Sequence, residues 1–150
     1  MNRPFQRIGS ISNAHVGKDF ELIAQSFFQQ QGLLLKANHK IEIGIGAIKK
    51  GHFFDLGCDN QKVIAECKSH RWTTGENIPS AKLTVWNEAM FYFHLAPSSY
   101  RKIMFVLHDF SQRRNLTLAE YYLKIYGHMI PKGVEFWEYK ESEQLAIKII

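Results

Sequence analysis

The sequence predicts a mixed α/β fold, a central sheet with an αβββαβ core and helices on its flanks. Three observations predict it. Apolar residues change from helical to alternating spacing around Gly32. Two short strand-like runs, 52–58 and 62–69, meet at Asn60-Gln61 in the manner of a hairpin. A helical stretch, 80–95, then separates that hairpin from the continuous apolar run Ile103–Leu107, the pattern of a strand buried on both faces.

Each element follows from its residues. Residues 1–12 read as a loose arm to one domain of 150 residues, long enough for a sizeable core. From Gly17 to Gln31, Phe20, Ile23, Ala24, Phe27 and Phe28 recur at helical spacing, and Gly32 stops the helix. Leu33 to Gly46 reads as a strand in which Ile41, Ile43 and Ile45 alternate. The hairpin follows, then a polar loop from Ser69 to Ile78. Ser80 is the expected N-cap of a helix that ends before Pro97. That helix would carry the chain from strand 62–69 to strand 103–107 as a right-handed parallel crossover. Thr117–His128 is a second amphipathic stretch, and Val134–Tyr139 and Leu145–Ile150 are expected edge strands.

Composition narrows the setting. No apolar run approaches the ~18 residues of a membrane span, and Met1–Ser12 lacks a signal-peptide core. A cytoplasmic or nucleoid location, with no membrane partner, is the expectation. The net charge is +5, unevenly spread: residues 1–114 hold 15 Lys and Arg against 9 Asp and Glu, while residues 115–150 hold 4 against 5. A basic body suits a polyanionic partner such as nucleic acid, or a merely basic protein; no dense Lys/Arg run decides between them. Cys58 and Cys67 have neither zinc spacing nor a disulfide framework.

The hairpin carries the chemistry. Residues two apart in a strand share a face, so Glu66 and Lys68 point together. A turn centred between Asn60 and Gln61 sets Asp55 opposite Glu66, with Cβ atoms ~4.5–5.5 Å apart. Two carboxylates that close repel unless a cation lies between them. The same register turns Cys58, Cys67 and His52 to the other face. The cysteines then stand roughly 13 Å apart at ~3.3 Å per residue, too far to bridge. A plain ion-pair cluster is the bland alternative for Asp55, Glu66 and Lys68.

Asp55, followed after ten residues by Glu66-Cys67-Lys68, resembles the motif of the PD-(D/E)xK nuclease superfamily, the restriction-endonuclease-like fold. The αβββαβ order is similar to that family's core. Gly17-Lys18-Asp19-Phe20-Glu21 resembles the first-helix motif of its Holliday-junction-resolvase-like and Mrr-like branches. The likeness covers roughly residues 14 to 108. Phe54 stands where the family has its nominal proline, and Asn87 and Phe91 occupy the spacing of its Gln-x-x-x-Tyr helix pattern. The resemblance implies a Mg²⁺-dependent nuclease acting on DNA, with Mn²⁺ able to substitute, and in some members a homodimer. It implies that Asp55, Glu66 and the Cys67 carbonyl hold the metal. Lys68 would serve the attacking water, and Glu21 would help complete the site. A non-catalytic nucleic-acid-binding module on the same fold is the rival reading.

Further candidates rim this site. Arg71 suits a phosphate fork and Trp72 a stacked base, although packing in the core is the favoured reading for Trp72. Lys82, one turn into the next helix, is placed to meet a phosphate or to stay solvated. Arg101, Lys102, Arg113 and Arg114 flank strand 103–107 as possible extensions of the basic surface. Glu138-Tyr139-Lys140 repeats the Glu-x-Lys pattern without an aspartate across a hairpin, and is expected to be an exposed edge with solvated charges.

Overall fold

A computed structural model describes residues 13–150; the expected arm at 1–12 lies outside them. Helix α1 (Asn13–Gln30) leads into β1 (Lys36–Ile43), β2 (Lys50–Cys58) and β3 (Val63–Lys68). Helix α2 (Ser80–Leu95) returns the chain to β4 (Arg101–Leu107). A small hairpin, β5 (Phe110–Ser111) and β6 (Leu116–Thr117), precedes α3 (Leu118–Tyr126), and β7 (Val134–Lys140) and β8 (Leu145–Lys148) close the chain. The six long strands form one sheet in the order β1-β2-β3-β4-β7-β8. Its centre, β3-β4-β7, is parallel, and both ends are antiparallel. This is the mixed α/β architecture expected, and it is consistent with a restriction-endonuclease-like fold. No helix among the described residues is long and apolar enough to cross a membrane.

The sheet divides two apolar layers. Phe20, Ala24 and Phe28 of α1 pack on Leu56, Val63, Ala65, Ile103 and Phe105. On the other side, Leu83, Trp86, Met90 and Phe93 of α2 join Leu118 and Tyr122 of α3 over Phe54, Ile64, Met104, Val106 and Phe136. The central strands are covered on both faces, which is why β4 reads as an unbroken apolar run.

Four local expectations need correction. β1 stops at Ile43, because Gly44 takes a φ of +152° and Ile45 is left exposed. A Cβ at Gly44 would meet the Ile48 carbonyl at 2.1 Å, so only glycine fits this turn. Ser80 does not cap α2; Pro79 does, with no side-chain bond, its fixed φ suiting a helix start. Thr117 caps α3 instead, in a reciprocal box with Glu120. Finally, β7 is not an edge strand. It lies between β4 and β8, so Glu138 is buried rather than solvated.

His70, just past β3, gives the fold a pH dependence. The fully buried Trp86 donates its indole N–H to His70 Nδ1 at 2.8 Å, so that nitrogen must stay unprotonated. Burial, reinforced by Lys82 and Lys68, lowers the His70 pKa from 6.5 to about 4. Between those values the unfolded chain binds a proton that the folded chain refuses. This contribution is therefore complete above pH 6.5 and is lost as pH falls toward 4. Replacement by Gln, whose carbonyl can accept the same bond, removes the titration. Denaturant midpoints from pH 7 to pH 4 should fall less in His70→Gln than in wild type; parallel curves would refute this account.

Candidate functional site

The β2–β3 hairpin turns through Asn60-Gln61 as expected. The Gln61 amide ties the turn to the α1–β1 connection, donating to the Gly32 carbonyl and accepting from Leu34 N–H, both at 2.8 Å. Leu56, Gly57 and Cys58 pair with Ala65, Ile64 and Val63, the register that sets Asp55 against Glu66. The ladder stops one pair short of them. Instead, the Asp55 side chain takes over a backbone role: its Oδ2 accepts the Cys67 N–H at 2.8 Å.

Strand alternation breaks at this point. Phe54 packs in the α2–α3 layer and Leu56, two residues on, in the α1 layer. On the neighbouring strand, Asn38, which would face Asp55, has a φ of +51° and drops out of the β1–β2 pairing. The switch corrects the expectation for His52. It does not turn away with the cysteines. Its Nε2 lies 3.5 Å from Glu66 Oε1, and its ring stacks on Tyr92 at 3.9 Å.

The structure thus brings Glu21, Asp55, Glu66 and Lys68 together at the C-terminal end of β3. Glu66 is 5 % exposed, and its Oε2 stands 3.9 Å from Lys68 Nζ. Burial pushes its carboxyl well above the usual range, and the adjacent Asp55 charge adds to this. Burial and then Asp55 also raise Glu21, while Lys18, 3.6 Å away, opposes them. The Cys67 thiol is raised far up, by burial first and Asp55 next. It stays protonated, which leaves its backbone carbonyl as its contribution to any ion.

The rim candidates fare unevenly. Trp72 is buried, correcting the reading of a free stacking surface. Its indole N–H donates to the Asp109 carbonyl at 2.9 Å, its backbone N–H donates to the Asp109 carboxylate, and Arg114 lies over its ring. Arg71 is exposed but pairs with Glu141. Lys82 is exposed on α2. Arg101 is engaged by Glu135, and Lys102 is half-buried. Arg113 and Arg114 pin the β5–β6 hairpin to the 69–78 loop, donating to the carbonyls of Gly75 and Glu76. A cavity of about 530 Å³ lies elsewhere, lined by Leu123, Ile130, Val134 and Lys148 among others. Glu21, Asp55, Glu66 and Lys68 do not line it.

Sequence reasoning missed three residues here. His52 was hidden by the alternation switch. Asn87, at the family's helix spacing, accepts a hydrogen bond from Tyr122 and so faces α3. Glu88 and Tyr92, one position further along α2, are the pair that reaches the site: Glu88 acts on both His52 and Tyr92. Their i, i+4 spacing was the available signal.

No protein-family model and no curated protein matches the chain. A solved structure does, that of an fdxN element excision controlling factor protein from Anabaena variabilis. It is 13 % identical, with a TM-score of 0.52 over 87 % of this chain and 96 % of that one. At that identity the likeness establishes the fold.

The clustered carboxylates yield a thermal-melt prediction. Without metal, Glu66 adds a buried charge beside Asp55 and Glu21. Glu66→Gln should therefore melt at the wild-type temperature or higher in EDTA. With Mg²⁺, wild type should gain stability and the variant should not. A variant that gains as much as wild type would remove Glu66 from any metal site.

Proposed function

We propose that this protein is a Mg²⁺-dependent nuclease that hydrolyses DNA phosphodiester bonds as an endonuclease. One observation carries the reading: three carboxylates and a lysine gather at a strand end where Asp55 has displaced a ladder bond to reach Glu66. The residues fit a hard divalent cation. The basic neighbours of Glu66 stand off at 3.5 and 3.9 Å, and the buried His52 Nε2 has no hydrogen-bond partner. Glu21, Asp55 and Glu66 act on one another's charge but, among the described residues, do not close on a common point as three metal ligands, which leaves two carboxylates and a carbonyl as the available set. An ion here would be held by Asp55, Glu66 and the Cys67 carbonyl, its other positions left to water. Mg²⁺ keeps several waters in such incomplete cages, and Mn²⁺ accepts the same oxygens with imidazole nearby.

A bound Mg²⁺ supplies charge stabilisation at the scissile phosphate. The chain's own groups do the rest. Lys68, beside Glu66 but free of the metal set, orients the attacking water and assists removal of its proton. Water oxygen bonds to phosphorus as the bond to the 3′ oxygen breaks, leaving 5′-phosphate and 3′-hydroxyl ends. Glu21 closes the acidic end from α1. Lys82 and Arg71 meet flanking phosphates, Arg71 by exchanging Glu141 for the backbone. Trp72 supports the loop from within. Cutting both strands of a duplex needs two such sites, so a homodimer belongs to the same proposal. A neighbour named for the control of element excision agrees with this reading.

Lys68→Ala separates chemistry from binding. Losing an ammonium beside the carboxylates leaves metal affinity equal or tighter. Losing the group that positions the water should lower the cleavage rate about 10²–10⁴-fold. Plasmid cleavage in Mg²⁺ measures the rate, and duplex binding in Ca²⁺ measures the rest. Cleavage by Lys68→Ala at the wild-type rate would end the nuclease assignment of this cluster. Duplex affinity should also fall steeply with salt, because phosphate contacts release counterions. A flat response would remove DNA as the partner.

A further inference from the structure

The second Glu-x-Lys sequence is not a solvated edge. Glu138 on β7 pairs with Val106 on β4, which pairs with Lys68 on β3, so the three stand in one row across the sheet. Phe136, two residues before Glu138, packs in the α2–α3 layer, so Glu138 looks toward the same side. Its side chain is only 7 % exposed, and its Oε2 has no hydrogen-bond partner. Next to it, His108 follows the end of β4, anchored by its backbone N–H to the Tyr139 carbonyl at 2.8 Å. His108 Nδ1 is likewise buried without a partner.

His108 Nδ1 faces the other oxygen of the same carboxylate, Glu138 Oε1, which no donor among the described residues claims either. His108 Nδ1 and Glu138 Oε1 are 3.6 Å apart, too far for a hydrogen bond. Buried polar groups ordinarily find partners, so two neighbouring side chains that each bury an unpartnered atom call for a missing third party. The distance says what kind. An ion bound to imidazole nitrogen and carboxylate oxygen at ~2.1 Å in tetrahedral geometry holds those atoms about 3.4 Å apart. Octahedral coordination would draw them to about 3 Å. The donor set, one imidazole and one carboxylate, suits Zn²⁺ and similar first-row ions rather than Mg²⁺.

We infer that His108 and Glu138 form a second cation site, specific for a tetrahedral transition-metal ion such as Zn²⁺. No third His, Cys, Asp or Glu joins them among the described residues. The remaining positions are filled by water or by an oxygen of a bound phosphate. Glu138 lies two strands from Lys68, about 10 Å at the usual strand spacing. That is too far for a shared two-metal centre, so this site stands apart from the Asp55–Glu66 cluster and does not rest on the nuclease reading.

Co²⁺ tests it, because tetrahedral Co²⁺ absorbs visible light far more strongly than octahedral Co²⁺. Co²⁺ is titrated into the full chain with Mg²⁺ in excess to fill any hard-cation site. One equivalent should give the strong tetrahedral spectrum, and one equivalent of Zn²⁺ should abolish it. Glu138→Gln and His108→Gln, each shown folded by circular dichroism, should both lose that spectrum. A weak octahedral spectrum in wild type would overturn the inference. So would a wild-type spectrum in either variant.

Discussion

The hydrogen bond from the Cys67 amide to the Asp55 carboxylate governs the acidic end of the sheet. A regular β2–β3 ladder would continue past Leu56–Ala65 and leave Asp55 opposite Glu66 as an ordinary cross-strand pair. Instead the side chain supplies the acceptor, and the ladder ends where the carboxylates begin. Backbone amides at this depth need partners. Asp55 meets that need and in doing so is held beside Glu66, with Glu21 approaching from α1. One constraint, a buried amide, thereby fixes a charged group in a place that apolar packing alone would not hold.

The electrostatic conflict this creates is only partly relieved within the chain. Lys68 and His52 are the nearest basic groups to Glu66, at 3.9 and 3.5 Å, and neither makes a hydrogen bond to it. Burial also lowers the His52 pKa, so it brings little positive charge. Structural ion pairs usually close to hydrogen-bonding distance, as Arg101 does with Glu135 at 2.6 and 2.9 Å on the same sheet. The contrast between a closed pair at Glu135 and open ones at Glu66 is what supports the proposed cation site. Glu138 and His108 repeat the open arrangement two strands away.

Around this acidic end, much of the basic surface is committed to structure. Arg101 serves Glu135, Arg113 and Arg114 fasten the β5–β6 hairpin to the 69–78 loop, and Arg71 pairs with Glu141. Glu76 completes the fastening by accepting from the backbone N–H groups of Gln112 and Arg113. The loop beside β3, which carries Arg71, is therefore braced on a second element. Net charge overstates the free positive surface, because a guanidinium already bonded to a carboxylate presents a weaker field.

What the sequence determined is the part governed by local period and local turn chemistry. The order of elements, the turn at Asn60-Gln61, the register of Asp55 against Glu66, and the sharing of one face by Glu66 and Lys68 all follow from the two-residue repeat of a strand. The tertiary structure decided whatever depends on neighbours distant in sequence. His52 reaches Glu66 because alternation fails at Asp55 and Asn38 together, an irregularity shared by two strands and invisible in either. Glu138 was placed at the surface by polar company in sequence, and Trp72 was left between a stacking surface and the core. Trp72 is buried by Asp109 and Tyr121, and Glu138 by the pairing of β7 between β4 and β8. Burial is a property of packing partners, and a short stretch of sequence names its own residues but not the ones that will cover them.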